Sequence, residues 1–355
     1  MNELEQYVEQ NFGPQWIDQV LASGRSLPPY FHPTRACLID DNQSYLESVS
    51  LDLDEHWPHL CFTQPLTALD YLHAHAQQPL ADRCLETTFS PGTSPGSVLR
   101  TDLIDQQISN ADRFEQVSVL LIDFAMPLLN GLEFCDRVQL PYAQRAMLTG
   151  VADEGVAVEA FNAGQIDHYV KKPKLKTTAD LTALIRRLQH LFFAAQAAPL
   201  EALVHSAAGF LSDPAVIQRI QAIMFEQQFV EYYLVDAPPG LLFLNAEGGL
   251  QRLLLADSRE QAWQAEQAQA SGAPPSLVQD IKRGRCLLFD WDKADEYADA
   301  ASYPWLERVH PCEPINAVWN LAVVDDPPVD IDYDPERCSF GAYLRRYPGA
   351  APSFT

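Results

Sequence analysis

Four short signals stand out for the chemistry their residue types allow. Asp40-Asp41 follows the apolar run Cys37-Leu38-Ile39. Asp123 follows Val117-Ser118-Val119-Leu120-Leu121-Ile122 and leads into Met126-Pro127 and Asn130-Gly131. Thr149-Gly150 closes a later apolar run, and Lys172-Pro173 comes shortly after Tyr169. Three carboxylates gathered at one spot repel one another, an arrangement that calls for a divalent cation. Oxygen-only donors favour Mg2+, with waters completing an octahedron. Such a metal neutralises charge on an incoming phosphoryl group and lets a carboxylate attack it. A lysine supplies fixed positive charge, and a threonine hydroxyl can hydrogen-bond the transferred group.

These residues work together only if the elements before them bring them to one place. The run 117–122 is β-branched and almost free of polarity, which suits a parallel strand buried on both faces. Cys37-Leu38-Ile39 reads as a second such strand. Helices are expected at 43–53, 66–76, near 131–138, near 153–162 and at 178–195, with strands at 58–63, 145–149 and 167–170. Strands alternating with helices predict an α/β domain with a doubly wound parallel sheet. Ligands in such sheets bind beyond the carboxyl ends of the strands, near the switch in strand order, and all four signals converge there. Residues 79–112 contain the loop-forming cluster Ser90-Pro91-Gly92-Thr93-Ser94-Pro95-Gly96-Ser97 and read as an insertion.

The signals resemble the receiver domain of two-component response regulators, a flavodoxin-like fold with a five-stranded parallel sheet. The matching text is Leu38-Ile39-Asp40-Asp41, Leu120 to Gly131, Leu148-Thr149-Gly150 and Tyr169-Val170-Lys171-Lys172-Pro173, and the resemblance covers about residues 35–195. It implies that Asp123 accepts a phosphoryl group from a histidine kinase or phosphotransfer protein, which would make the chain a phosphoprotein of a phosphorelay. Mg2+ would be held by Asp41 and Asp123, by Asp40 largely through water, and by the backbone carbonyl of Ala125. Lys172 would contact the acyl phosphate, and Thr149 and Tyr169 would form the switch pair. No independent enzyme is expected beyond self-phosphorylation and dephosphorylation of the receiver. Two departures matter. Asp41 and Asp123 lie 82 positions apart, a gap that the insertion accounts for. Ala125 and Val151, two positions past Asp123 and Thr149, offer no side-chain hydrogen bond to orient a hydrolytic water, so slow dephosphorylation is expected.

At 355 residues the prior is two domains. Residues 1–34 are expected to form an N-terminal helical segment, with helices about 2–10 and 14–22 before Pro28-Pro29. Residues 196–355 are expected to form an α+β output domain with an antiparallel sheet. Its helices fall at 212–228, 258–270 and 276–283, its strands at 230–236, 240–245, 250–255, 285–290 and 316–324, and a loop-like acidic tail starts at 326. The stretch from Tyr232 to Gly248 resembles the first hairpin of a PAS domain. No string in this half marks a nucleotide cyclase, a P-loop or a nucleophile elbow. The leading output is a protein-interaction domain binding a partner or its own copy, so that a homodimer forms through the receiver or the C-terminal domain. A ligand-sensing module and an enzyme output are the alternatives.

Composition narrows the field further. Hydrophobic residues make up 47% and charged residues 20%, which excludes wholesale disorder and fibrous architecture. Lys and Arg number 24 against 48 Asp and Glu, and residues 1–199 and 200–355 each carry −12. Neither part has the raw material for a large basic face, so DNA is not an expected partner. No stretch of ~18 residues runs without a charge or a strong polar break, and a membrane is not an expected partner either. The acidic N-terminus is unlike a secretory signal, and a cytoplasmic protein is expected. Seven cysteines without a C-x-x-C pair fit reduced thiols.

Overall fold

A computed structural model describes residues 26–53, 57–88, 96–150, 154–172, 178–289 and 303–347. The helices expected at 2–10 and 14–22 lie outside the described residues. The chain enters through β1 (Tyr30–Phe31) and then builds the first sheet from β2 (Arg35–Ile39), β3 (His59–Phe62), β6 (Val117–Asp123), β7 (Gln144–Thr149) and β8 (His168–Lys171). This sheet is parallel, in the order β3-β2-β6-β7-β8. The chain therefore adds β3 on one side of β2 and the remaining strands on the other, which places the switch in strand order between β2 and β6. Helices α1 (Gln43–Asp52), α2 (Pro65–Ala74), α5 (Gly131–Arg137), α6 (Glu154–Asn162) and α7 (Thr178–Ala197) make the connections.

The two central strands are buried on both faces because their side chains alternate between two apolar clusters. Cys37, Ile39, Leu120, Ile122 and Met147 pack with Leu69 and Leu72 of α2 and Phe134 of α5. Ala36, Leu38, Val119, Leu121 and Leu148 pack into the opposite cluster with Leu181, Ile185, Leu188 and Phe192 of α7.

The expected insertion between α2 and β6 leaves the parallel sheet. It contains α3 (Leu80–Cys84), the hairpin of β4 (Leu85–Thr88) and β5 (Gly96–Leu99), and α4 (Thr101–Asp105).

After α7 come α8 (Glu201–Ala207) and α9 (Pro214–Glu226), then the meander β9 (Phe229–Val235), β10 (Gly240–Asn245) and β11 (Leu250–Ala256). The stretch resembling a PAS hairpin forms β9 and β10, with β11 as a third strand. Helices α10 (Ser258–Ala270) and α11 (Pro275–Lys282) precede β12 (Cys286–Leu288), β13 (Val309–Pro314) and β14 (Asn320–Asp325). These strands and β1 form a seven-stranded antiparallel sheet in the order β1-β9-β10-β11-β14-β13-β12.

Three sequence expectations are corrected here. The expected helical segment does not extend to residue 34: residues 26–34 run extended around the break expected at Pro28-Pro29. Pro28, Pro29 and Pro33 lack the N–H a helix needs, and Tyr30 and Phe31 pair with Tyr233 and Tyr232 of β9. The strand expected at 316–324 starts at Asn320, because the Asn316 side chain accepts from the N–H groups of Val318 and Trp319 and makes a turn. The preceding strand β13 was not expected. The tail beyond 326 contains α12 (Pro335–Cys338) and α13 (Phe340–Arg346), capped by Asp334 and Ser339, whose side chains accept from Glu336 N and Ala342 N.

The two sheets share one apolar core. Phe31, Phe114, Phe193, Tyr232, Tyr233 and Tyr343 all belong to the cluster that also covers β2 and β6. At its centre Arg113, fully buried, donates to both carboxylate oxygens of Glu231 at 2.8 and 3.0 Å, and Tyr233 OH donates to Glu231 at 2.6 Å. Arg35 Nε donates to Tyr343 OH at 2.7 Å, tying the start of β2 to α13.

Candidate functional site

The register of the parallel sheet assembles the site. Ile39 pairs with Ile122, so Asp40 and Asp123 leave adjacent strands side by side. Asp123 pairs with Leu148 and Thr149 with Lys171, which brings Thr149 and Lys172 to the same edge. Asp40 and Asp123 are buried and Asp41 is exposed. One carboxylate oxygen from each of the three lies within 4.8 Å of the others. Lys172 Nζ bridges the buried pair, 2.7 Å from Asp40 Oδ2 and 2.5 Å from Asp123 Oδ1.

Backbone N–H groups aim the two carboxylates. Asn42 N donates to Asp40 Oδ1 and Ala125 N to Asp123 Oδ2, each at 3.0 Å. Burial raises the pKa of Asp40, although Lys172 and the Asn42 N–H pull against it. Burial alone would lower the pKa of Lys172, but its bonds to Asp123 and Asp40 outweigh that and raise it. Lys172 is therefore a fixed cation at neutral pH.

The structure brings Asp40, Asp41, Asp123, Lys172 and Thr149 to one edge. Thr149 is fully buried, and its hydroxyl has no hydrogen-bond partner among the described residues. An orphaned buried hydroxyl costs stability unless another state satisfies it. Tyr169 faces outward, 37% exposed, with its ring edge-on to Phe161 at 6.2 Å. Val151 and Pro173 lie outside the described residues.

Two residues that sequence reasoning passed over, Asn42 and Tyr45, support the site, as does Gly131, which was quoted without a role. Asn42 caps α1 by accepting from Tyr45 N. The Tyr45 ring lies under Lys172 Nζ, 4.9 Å from its centroid. Gly131 begins α5 where a Cβ would stand 2.5 Å from the Asp123 carbonyl oxygen and 2.7 Å from Met147 Sδ. The asparagine two positions after a strand-end acid is a capping signal that could have marked α1. Gly131 follows the N-cap Asn130, which forms a capping box with Glu133, each side chain bonding the other's backbone N–H. The Tyr45 contact has no local signature, since Lys172 is far away in sequence.

The site can hold a hard divalent cation. Every donor is a carboxylate oxygen, and each oxygen keeps a lone pair beyond its bond to Lys172 or a backbone N–H. It can also present one carboxylate as a nucleophile beside a fixed ammonium and a free hydroxyl.

A five-stranded parallel sheet in this order, with acids at the ends of β2 and β6 and a lysine at the end of β8, is the receiver fold of response regulators, joined here to an antiparallel α+β domain. The response regulator LqsR of Legionella pneumophila has the same overall fold. It is 24% identical, the match covers 90% of this chain and 97% of that one, and the TM-score is 0.72. Two receiver-domain structures also match over less of the chain. One, from Clostridium thermocellum, is 18% identical over 44% of this chain and 94% of its own, with a TM-score of 0.31. A CheY-like one from Methanospirillum hungatei is 20% identical over 45% and 96%, with a TM-score of 0.29. No protein-family model matches the chain, and no curated protein matches it. No helix among the described residues is long and apolar enough to cross a membrane.

Proposed function

We propose that this chain is a two-component response regulator whose Asp123 accepts a phosphoryl group from a histidine kinase or phosphotransfer protein. The observation that carries the reading is the convergence of Asp40, Asp41 and Asp123 around Lys172 at the switch point of the sheet. In the transfer, Asp123 Oδ1 forms the new P–O bond as the P–N bond of a phosphohistidine breaks, and the donor imidazole leaves with the electron pair. Asp40, Asp41, Asp123 and the Ala125 carbonyl would hold Mg2+, which supplies charge neutralisation for the phosphoryl oxygens.

Lys172, already touching Asp123 Oδ1, moves its contact to a phosphoryl oxygen once that carboxylate oxygen carries the phosphoryl group as an acyl phosphate. The unpartnered Thr149 hydroxyl donates to a second phosphoryl oxygen, and the space it vacates lets the outward Tyr169 ring turn in. The C-terminal domain is the output, an interaction module for a protein partner or a second copy.

The test is intact mass after incubation with acetyl phosphate and Mg2+. One added phosphoryl mass in wild type and none in Asp123→Asn supports the reading. No gain from acetyl phosphate, and no transfer from any phosphotransfer protein, overturns it.

A further inference from the structure

Lys172 carries three N–H donors. Two are met by Asp40 Oδ2 and Asp123 Oδ1, and the ammonium sits over the face of the Tyr45 ring. Tyr45 reaches that position for a local reason. It is the third residue of α1, and side chains on a helix lean toward its N-terminus. Here the N-terminus of α1 opens onto the strand ends. Asn42 sets both partners: its N–H holds Asp40 Oδ1, and its side chain accepts from Tyr45 N. The ring is half-buried and packs against the apolar cluster behind the sheet, so it does not swing freely.

We propose that Tyr45 is a positioning residue for phosphoryl transfer, acting through Lys172. This rests on the phosphoacceptor reading above. The ring face attracts the ammonium as a third, non-acidic partner. It holds the cation over the site when Asp123 loses its carboxylate charge to the acyl phosphate. Without the ring, Lys172 falls back on Asp40 or turns to solvent, and the developing charge on the phosphoryl group meets a less ordered cation. The property that matters is the ring's negative face, not the phenol hydroxyl.

The test measures the rate of phosphorylation by acetyl phosphate with Mg2+, followed by intact mass. Tyr45→Phe should match wild type, and Tyr45→Leu should be about two- to fivefold slower. In a Lys172→Met background, Tyr45→Leu should cause no further loss, because the interaction it removes is already gone. Leucine could disturb packing, so a series of phenylalanines with increasing ring fluorination at position 45 supplies the second measurement. Fluorine weakens the negative face while keeping the shape, and the logarithm of the rate should fall steadily along the series.

A flat fluorination series in a wild type that does phosphorylate overturns the role of the ring. So does an equal loss from Tyr45→Leu with and without Lys172. A wild type that gains no phosphoryl mass overturns the phosphoacceptor reading instead.

Discussion

Replacing Glu231 by leucine should loosen the junction between the two sheets more than any other single change there. Glu231 is fully buried in β9 and receives two bonds from the buried Arg113 and one from Tyr233. Arg113 has two further acceptors, the carbonyls of Ile108 and Asn110, and its guanidinium stacks 4.1 Å from the Phe114 ring. Those neighbours keep it in place, so the variant leaves a buried cation without its counter-charge. Breaking one side of a buried pair costs about 3–5 kcal/mol. With an unfolding entropy of about 2.1 cal/mol/K per residue, that corresponds to a fall in Tm of about 4–7 °C for a chain of this length. Removing both charges, in Arg113→Met with Glu231→Leu, should cost clearly less than the sum of the single changes. Differential scanning calorimetry of the four proteins measures all the terms. A fall below about 1 °C in Glu231→Leu, or strict additivity in the double variant, refutes the reasoning.

His32 sits in the same junction, its Nδ1 on the Pro33 carbonyl and its ring among Phe114, Phe193 and Tyr233. Burial, with Arg113 adding to it against the Pro33 bond, lowers its pKa from 6.5 to about 3. The unfolded chain then binds a proton that the fold refuses, so this contribution is complete above about pH 6.5 and lost as pH falls toward 3. Urea midpoints should imply a loss of up to about 1.4 kcal/mol per pH unit in that window, with a flatter profile in His32→Phe; parallel profiles would rule the histidine out. Gly131→Ala should cost about 1–3 kcal/mol and slow phosphorylation, because the new methyl meets the Asp123 carbonyl oxygen at 2.5 Å; an unchanged Tm would contradict this. Ala125→Asn places an amide where a hydrolytic water must be oriented, and one such bond should shorten the phosphoryl lifetime about five- to tenfold. A wild-type lifetime no longer than the variant's would reject that account.

The receiver half and its site were legible because each signal is local. A buried parallel strand is a short apolar run, and the acid that ends it stands where the chain leaves the core. Asp40 and Asp123 could be paired from sequence because both strands end at the same edge of the sheet. The junction was not legible. Glu231 lies in Phe229-Val230-Glu231-Tyr232-Tyr233, where an acid reads as a solvent-facing position, and its partner Arg113 is 118 positions away. Nothing within either segment signals the other. Tyr30 and Phe31 likewise form a strand only because β9 presents an open edge. The C-terminal helices were obscured by the acidic run before them, although Asp334-Pro335 is a helix-start signal.

The placement of site and junction at opposite ends of the same strands limits how a signal can leave the receiver. β2 begins at Arg35, held by Tyr343, and ends at Ile39, just before Asp40. β6 begins just after Arg113 and Phe114, held by Glu231 and Tyr343, and ends in Asp123. Seven residues of extended chain put about 20 Å between the two ends. Coupling between sites in proteins is typically worth about 1–3 kcal/mol. Separating the sheets would break the Arg113–Glu231 pair, but water would solvate both ions, so the pair itself adds little to the cost. It would also expose Phe31, Phe193, Tyr232 and Tyr233, at about 1.5–3 kcal/mol each. The aromatic burial alone exceeds a typical coupling energy at least about twofold. On the reading proposed above, the second domain therefore acts while joined to the receiver and not by release from it.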